Sequence, residues 1–145
     1  RPAMAAAAAP PPASALEVAG ELPESAGGGR GTEAPVHRLQ LLGRDLEVCT
    51  DEALGVAGRP WPAQEAAARA VRGLLNGTEN HPVAVVELGA GCGALACALA
   101  LELGTGCRVV ATDLAEVVPL MQQTALRNGA LVDCRPLRWG DAAAS

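Results

Sequence analysis

The chain contains no phenylalanine, no tyrosine, no lysine and no isoleucine, and its only aromatic rings are Trp61 and Trp139. A hydrophobic interior must therefore be assembled from Leu, Val and Ala. Half of the residues are hydrophobic, but much of that fraction is alanine, which buries little area per residue. Basic charge is also scarce. The formal net charge is -5 with a pI near 5.0, which argues against a dedicated nucleic-acid binder with a basic face. Five cysteines are present (Cys49, Cys92, Cys97, Cys107 and Cys134), an odd number with no C-x-x-C pair. A disulfide framework and a zinc site are both disfavoured, and the cysteines read as small buried hydrophobes in a reducing compartment. His37 and His81 have no Cys or His at ligand spacing, so no metal is expected. No run approaches the roughly 20 uncharged apolar residues of a membrane span, and no membrane partner is expected.

At 145 residues the chain fits a single domain. It opens on "RPAMAAAAAPPPASA". The alanine run is too short and weakly apolar for a signal peptide, and prolines break it at once. Met4 reads as a true start, with residues 1–3 foreign. Residues 1–33 hold few large side chains and read as a disordered leader, with the folded domain over 34–145. "NGT" at Asn76 reads as a plain turn.

From Val36 the texture changes. Val36–Leu41 and residues 45–49 flank a turn at Gly43, with His37, Leu39 and Leu41 alternating with Arg38 and Gln40, a hairpin pattern. Pro62 then opens a helix. Ala67, Ala70, Val71, Leu74 and Leu75 fall on one face of it at helical spacing. After a turn-rich loop the chain alternates: a buried strand over Val83–Leu88, a helix over Ala94–Leu103 closed by Gly104, and a strand over 108–112. A helix over 116–128 closed by Gly129 and a short strand over 134–139 follow. This β-α-β-α-β series predicts an α/β fold with parallel strands and right-handed crossovers. Pro136 cannot donate to a ladder, which places the last strand at a sheet edge.

The stretch "VVELGAGCGALA" closes the first of these strands and opens the next helix. Gly89 and Gly91 let the backbone pass close to a ligand, and the helix start offers free N–H groups. Asp113 ends the following strand, about 20 residues on, where a carboxylate accepts hydrogen bonds from ribose hydroxyls. Two ligands fit. "GAGCGA" is G-x-G-x-x-A, a dinucleotide fingerprint. Glu87, Gly89, Gly91 and Gly93 also form E-x-G-x-G-x-G, which resembles the first motif of S-adenosyl-L-methionine-dependent methyltransferases with a Rossmann-like sheet. Glu87, two places before the first glycine, suits a ligand carrying an ammonium rather than a pyrophosphate. A turn with no ligand stays open as a third reading.

Outside this motif, "RPWPAQEAAARAV", "VVATDLAEVVPLMQQTALRN" and "PLRWG" extend the likeness. Together the four stretches, from about Val36 to Asp141, resemble the methyltransferase-like protein-lysine methyltransferases, family 16 of the seven-strand class. The resemblance implies a class I methyltransferase sheet, S-adenosyl-L-methionine as cofactor, and methyl transfer to a protein lysine. It implies that Trp61 borders the methionine end of the cofactor and that Gly89, Ala90 and Gly91 lie along its backbone side, with Gly93 also in the cofactor-binding set. Glu87 and Leu114 complete the cofactor-binding set, Asp113 binds the ribose hydroxyls, and Trp139 lies against the adenine. Trp61 and Trp139 also read as core residues, and Asp113 as a helix N-cap. Glu116 reads as a first-turn acid rather than a site residue. The family acts on chaperones, ATPases and translation factors, which implies a protein partner in the cytoplasm, with the nucleus also open.

One departure matters. The family continues with a fourth strand ending in an acidic-x-x-aromatic motif that lines the lysine channel, and no such motif follows "WGDAAAS" here. The expectation is a sheet truncated after its third strand, preceded by a hairpin and helix, with one edge of the first strand open. The chain then reads as the cofactor-binding half of the enzyme, and the catalytic residues are unknown. Three alternatives stand beside this reading. They are a methyltransferase for a non-protein substrate, a non-catalytic isoform that binds a partner, and a dinucleotide-dependent oxidoreductase.

Overall fold

The computed structural model describes residues 34–76 and 83–140, all within the compact unit Thr32–Ser145. The expected leader and His81 lie outside the described residues. Strands β1 (Val36–Leu41) and β2 (Arg44–Cys49) form the antiparallel hairpin, in register from Val36 opposite Cys49 to Leu41 opposite Arg44. Leu42 and Gly43 both have positive φ, 54° and 74°, the two-residue turn whose twist matches the flanking strands. One face carries the exposed pairs Arg38–Glu47 and Gln40–Asp45. The other buries Leu41, Leu46 and Val48.

Helix α1 (Ala63–Leu75) follows, with Pro62 already helical just ahead of it. Its buried arc is centred between Ala68 and Val71, which pack against Leu95 and Leu99. The expected face was placed too far round. Ala70 is exposed and Leu74 is 80% exposed, because α1 meets one neighbouring helix along a narrow stripe and both residues fall beyond its edge.

Strands β3 (Val83–Leu88), β4 (Cys107–Asp113) and β5 (Val132–Pro136) form a parallel sheet in the order β3-β4-β5. Helices α2 (Ala94–Leu103) and α3 (Val118–Arg127) connect them. Residues 94–100 of α2 are all buried, as expected of a helix that is apolar all round. Successive crossovers in one direction put both helices on one face of the sheet, and that explains a second correction. β3 is not buried on both faces. Its side chains alternate, leaving Val86 57% and Leu88 59% exposed. β3 and β5 are the edge strands of this sheet, so Pro136 sits at an edge as expected.

Two boundaries differ from the sequence reading. The third parallel strand runs over Val132–Pro136 rather than 134–139. Its last ladder bond is donated by Leu137 N–H to the Asp113 carbonyl at 2.7 Å, after which the chain leaves the sheet. Helix α3 begins at Val118 with Pro119 in its first turn, so Glu116 lies in the turn before it.

The core is Leu, Val and Ala with Met121 at its centre, and Cys49, Cys92 and Cys97 are buried within it as small apolar groups. Side chains of α3 fasten the hairpin to this core. Cys49 N–H donates to Thr124 Oγ1 at 3.1 Å, and Glu47 N–H donates to Asn128 Oδ1 at 3.0 Å. Asn128 Nδ2 returns a bond to the Glu47 carbonyl at 2.8 Å. Buried backbone groups on the outer edge of β2 thus find partners without another strand. No helix among the described residues is long and apolar enough to cross a membrane.

Candidate functional site

A cleft of about 760 Å³ opens at the C-terminal ends of the parallel strands, where open α/β sheets hold ligands. Trp61, Gly89, Ala90, Gly91, Asp113, Leu114 and Trp139 all line it. The sequence reaches this point from four directions: before α1, after β3, after β4 and after β5.

The alternate glycines each meet a different neighbour. All three have positive φ, with Gly91 at 55° and Gly93 at 79°, a conformation that L side chains rarely adopt. A Cβ at Gly89 would stand 3.1 Å from Cζ2 of Trp139, whose ring packs on the loop there. At Gly91 it would stand 2.9 Å from the Ala57 carbonyl oxygen, and at Gly93 3.3 Å from Met121 Cα. Gly89 and Gly91 therefore shape the cleft wall. Gly93 lies outside the lining and lets the start of α2 pack against α3.

Asp113 braces this loop. Its Oδ2 accepts from Gly91 N–H at 2.8 Å and its Oδ1 from Leu114 N–H at 2.7 Å. Ala90 N–H donates to the Thr112 carbonyl at 2.9 Å, and Thr112 Oγ1 donates to the Glu87 carbonyl at 2.8 Å. The glycine loop is thus tied to the end of β4 at consecutive residues. Each carboxylate oxygen accepts one of these bonds and keeps acceptor capacity for a ligand hydroxyl.

Glu87 does not line the cleft. Its Oε2 is buried and without a hydrogen-bond partner. Burial pushes its carboxyl up to about 7, against relief from the Ala96 backbone N–H and with a further push from the nearby Asp113 carboxylate. Cys92 and Cys97 lie close enough to feel its charge, and burial raises both thiols.

One wall went unread in the sequence. The 3-10 segment Glu52–Gly58 contributes Ala53, Leu54, Val56 and Ala57 to the lining. Arg59, Gln64, Glu116, Val117, Leu137 and Arg138 add to it, so Glu116, taken as a dipole acid, stands at the cleft. Arg59 lies over the Trp61 ring at 4.5 Å, within cation–π range. The paired glycines Gly55 and Gly58 just before "RPW" were the available signal of a tight, shaped loop.

Comparison with known proteins adds one finding. Residues 41–145 match the lysine methyltransferase family, methyltransferase family 16, and that span covers the second strand of the hairpin, the cleft and every described parallel strand. No curated protein matches the chain significantly. The matched span is well over half of the sequence and contains the whole of the cleft, and the chain belongs to the lysine methyltransferase family.

Proposed function

We propose that the chain binds S-adenosyl-L-methionine in this cleft and forms the cofactor-binding part of a protein-lysine N-methyltransferase. The observation that carries the reading is the convergence of Trp61, the glycine loop, Asp113 and Trp139 on one cavity. Its volume is within the roughly 300–1,000 Å³ of small-molecule sites. The residues present fit such a group. Gly89 lets the Trp139 ring pack directly on the loop with most of the indole still exposed at the cleft, and Asp113 offers acceptors in the same cleft.

When bound, S-adenosyl-L-methionine supplies an electrophilic methyl group on a sulfonium. The chain's own residues bind and orient. Asp113 takes the ribose hydroxyls on the lone pairs that its two backbone donors leave free. Trp139 gives the adenine stacking area, and Trp61 borders the methionine end. Gly89, Ala90, Gly91 and Leu114 form the floor. Gly93 and Glu87 act from behind it, one by letting α2 start close to α3, the other from beneath the start of α2.

The acceptor in this reading is a protein lysine, on a chaperone, ATPase or translation factor, in the cytoplasm or nucleus. A lysine amine is mostly protonated at neutral pH and must lose its proton and water before attack. That needs a closed channel. The one-sided pairing of β3 and the exposure of Val86 and Leu88 support a cofactor half without that channel. The open edge of β3 and its exposed apolar outer face favour a second reading, a non-catalytic chain that binds a partner there.

Calorimetry tests the first reading. The chain should bind S-adenosyl-L-methionine and its demethylated product, and NAD far more weakly. Tight NAD binding with no response to S-adenosyl-L-methionine would overturn it. Tritiated-methyl transfer into lysate proteins should be absent with the 145-residue chain. Robust labelling abolished by Asp113→Ala would show instead a complete enzyme.

A further inference from the structure

The 3-10 segment Glu52–Gly58 is closed at its base. Asp51 N–H donates to the Gly58 carbonyl at 2.9 Å, and a Cβ at Gly58 would fall 1.7 Å from the Asp51 carbonyl oxygen. Only glycine allows the two ends to meet so closely. Asp51 Oδ1 caps the first turn by accepting from Ala53 N–H at 2.9 Å. Gly55, at φ 58° and ψ -123°, kinks the middle. The result is a strap whose first half is capped by Asp51 and whose second half lies beyond the non-helical break at Gly55. Yet that second half carries the functional burden, since Ala57 sits against Gly91 and Val56 and Ala57 line the cleft.

One side chain reaches back to hold it. Trp61 Nε1–H donates to the Val56 carbonyl at 2.8 Å. Arg59 lies over the face of the indole, and the Trp61 backbone is fixed by its N–H donating to Gln64 Oε1 at 3.2 Å. Val56 is 70% and Trp61 43% exposed, so the bond lies at the rim, while Leu54 and Ala57 pack against the core beneath. Arg59, Trp61 and Gln64 all line the cleft beside the strap they hold.

We infer that Trp61 is a positioning residue that acts as a clasp: its indole N–H holds the strap's second half on Gly91 and so sets one wall of the ligand cleft. The consequence for binding rests on the cofactor reading above, but the clasp itself is a property of the chain without ligand.

The test separates the two. Amide hydrogen exchange is followed in the ligand-free wild-type chain and in Trp61→Phe, which keeps the aromatic ring and removes the donor. Exchange within residues 52–58 should rise about fivefold in the variant, with α2 and the thermal midpoint unchanged. Unchanged exchange there overturns the clasp. Should Trp61→Phe fail to fold, the wild-type indole N–H signals decide. The Trp61 indole N–H should exchange more slowly than that of Trp139, whose indole N–H has no hydrogen-bond partner among the described residues and which is 72% exposed, and equal rates overturn the proposal. Calorimetry with the demethylated cofactor then supplies the second arm. If the wild type binds and Trp61→Phe binds about fivefold more weakly at unchanged stability, the clasp shapes the site. If the wild type does not bind while strap exchange still responds to Trp61→Phe, the cofactor reading falls and the clasp stands.

Discussion

Gly91 and Asp113, 22 residues apart, are joined by a 2.8 Å hydrogen bond from the Gly91 backbone N–H to Asp113 Oδ2. The bond couples the loop after β3 to the end of β4. It gives Asp113 two tasks, bracing the loop and presenting acceptors to the cleft.

Asp113→Ala should therefore lose on both counts. Ligand affinity should fall by on the order of 1.5–3 kcal/mol through lost charge-assisted bonds, and unfolding free energy by about 1–2 kcal/mol as Gly91 N–H loses its partner. Asp113→Asn keeps one acceptor oxygen and should fall between. Calorimetry and urea denaturation measure the two effects. A variant as stable as wild type would show that the loop does not depend on this brace.

Gly91→Ala should destabilise, and Gly73→Ala should not. At Gly91, φ is 55° and the new Cβ would meet a backbone oxygen at 2.9 Å. The left-handed conformation alone costs about 1–2 kcal/mol. Gly73 is helical, with nothing within 4 Å of its Cβ position, so alanine there should stabilise by about 0.5–1 kcal/mol. Denaturation midpoints of opposite sign are the expected outcome, and equal effects would contradict the geometry at Gly91.

Glu87 should make stability fall as pH rises. In the folded chain its carboxyl keeps its proton up to about 7, against an ordinary value of 4.5. Between those values the folded state holds the extra proton, so raising the pH favours unfolding. The contribution is fully present below about pH 4.5 and is lost by passage through pH 7, about 3 kcal/mol in all. Asp133 works the other way at lower pH, because Arg135 and Arg108 hold its carboxyl below the usual range. It is too exposed to contribute much. Glu87→Gln should flatten the profile between pH 5 and 7 in urea titrations, and an unchanged slope would remove Glu87 as its source.

The cysteines should divide by accessibility. Cys49, Cys92 and Cys97 are buried, and burial pushes the Cys97 thiol up to about 12. Cys107 and Cys134 are partly exposed, although burial raises their thiols too, Cys134 to about 11. The thiolate is the reactive form. Native-state alkylation followed by peptide mass analysis should label Cys107 and Cys134 slowly, and the other three only after unfolding. Early labelling of Cys97 would mean that α2 opens in the native state.

What the sequence determined by itself was whatever repeats over a few residues. The alternation around Gly43, the strand–glycine–helix order of "VVELGAGCGALA", and Asp113 at a strand end are local patterns, and local backbone preferences and periodicity are enough to read them. The family likeness then linked Trp61 and Trp139 to that motif before any contact was visible. The tertiary structure decided what depends on which surfaces meet. The outer face of β3 is exposed because both crossover helices lie on one side. The buried arc of α1 is set by Leu95 and Leu99, residues far along the chain. Glu87, read as a ligand group, turns under α2 rather than into the cleft, and nothing in E-x-G-x-G-x-G fixes which way that side chain points. The strap became a cleft wall through contacts of Ala57 with Gly91 and of Trp61 with Val56. No short-range pattern encodes contacts that form only once separate segments have packed together.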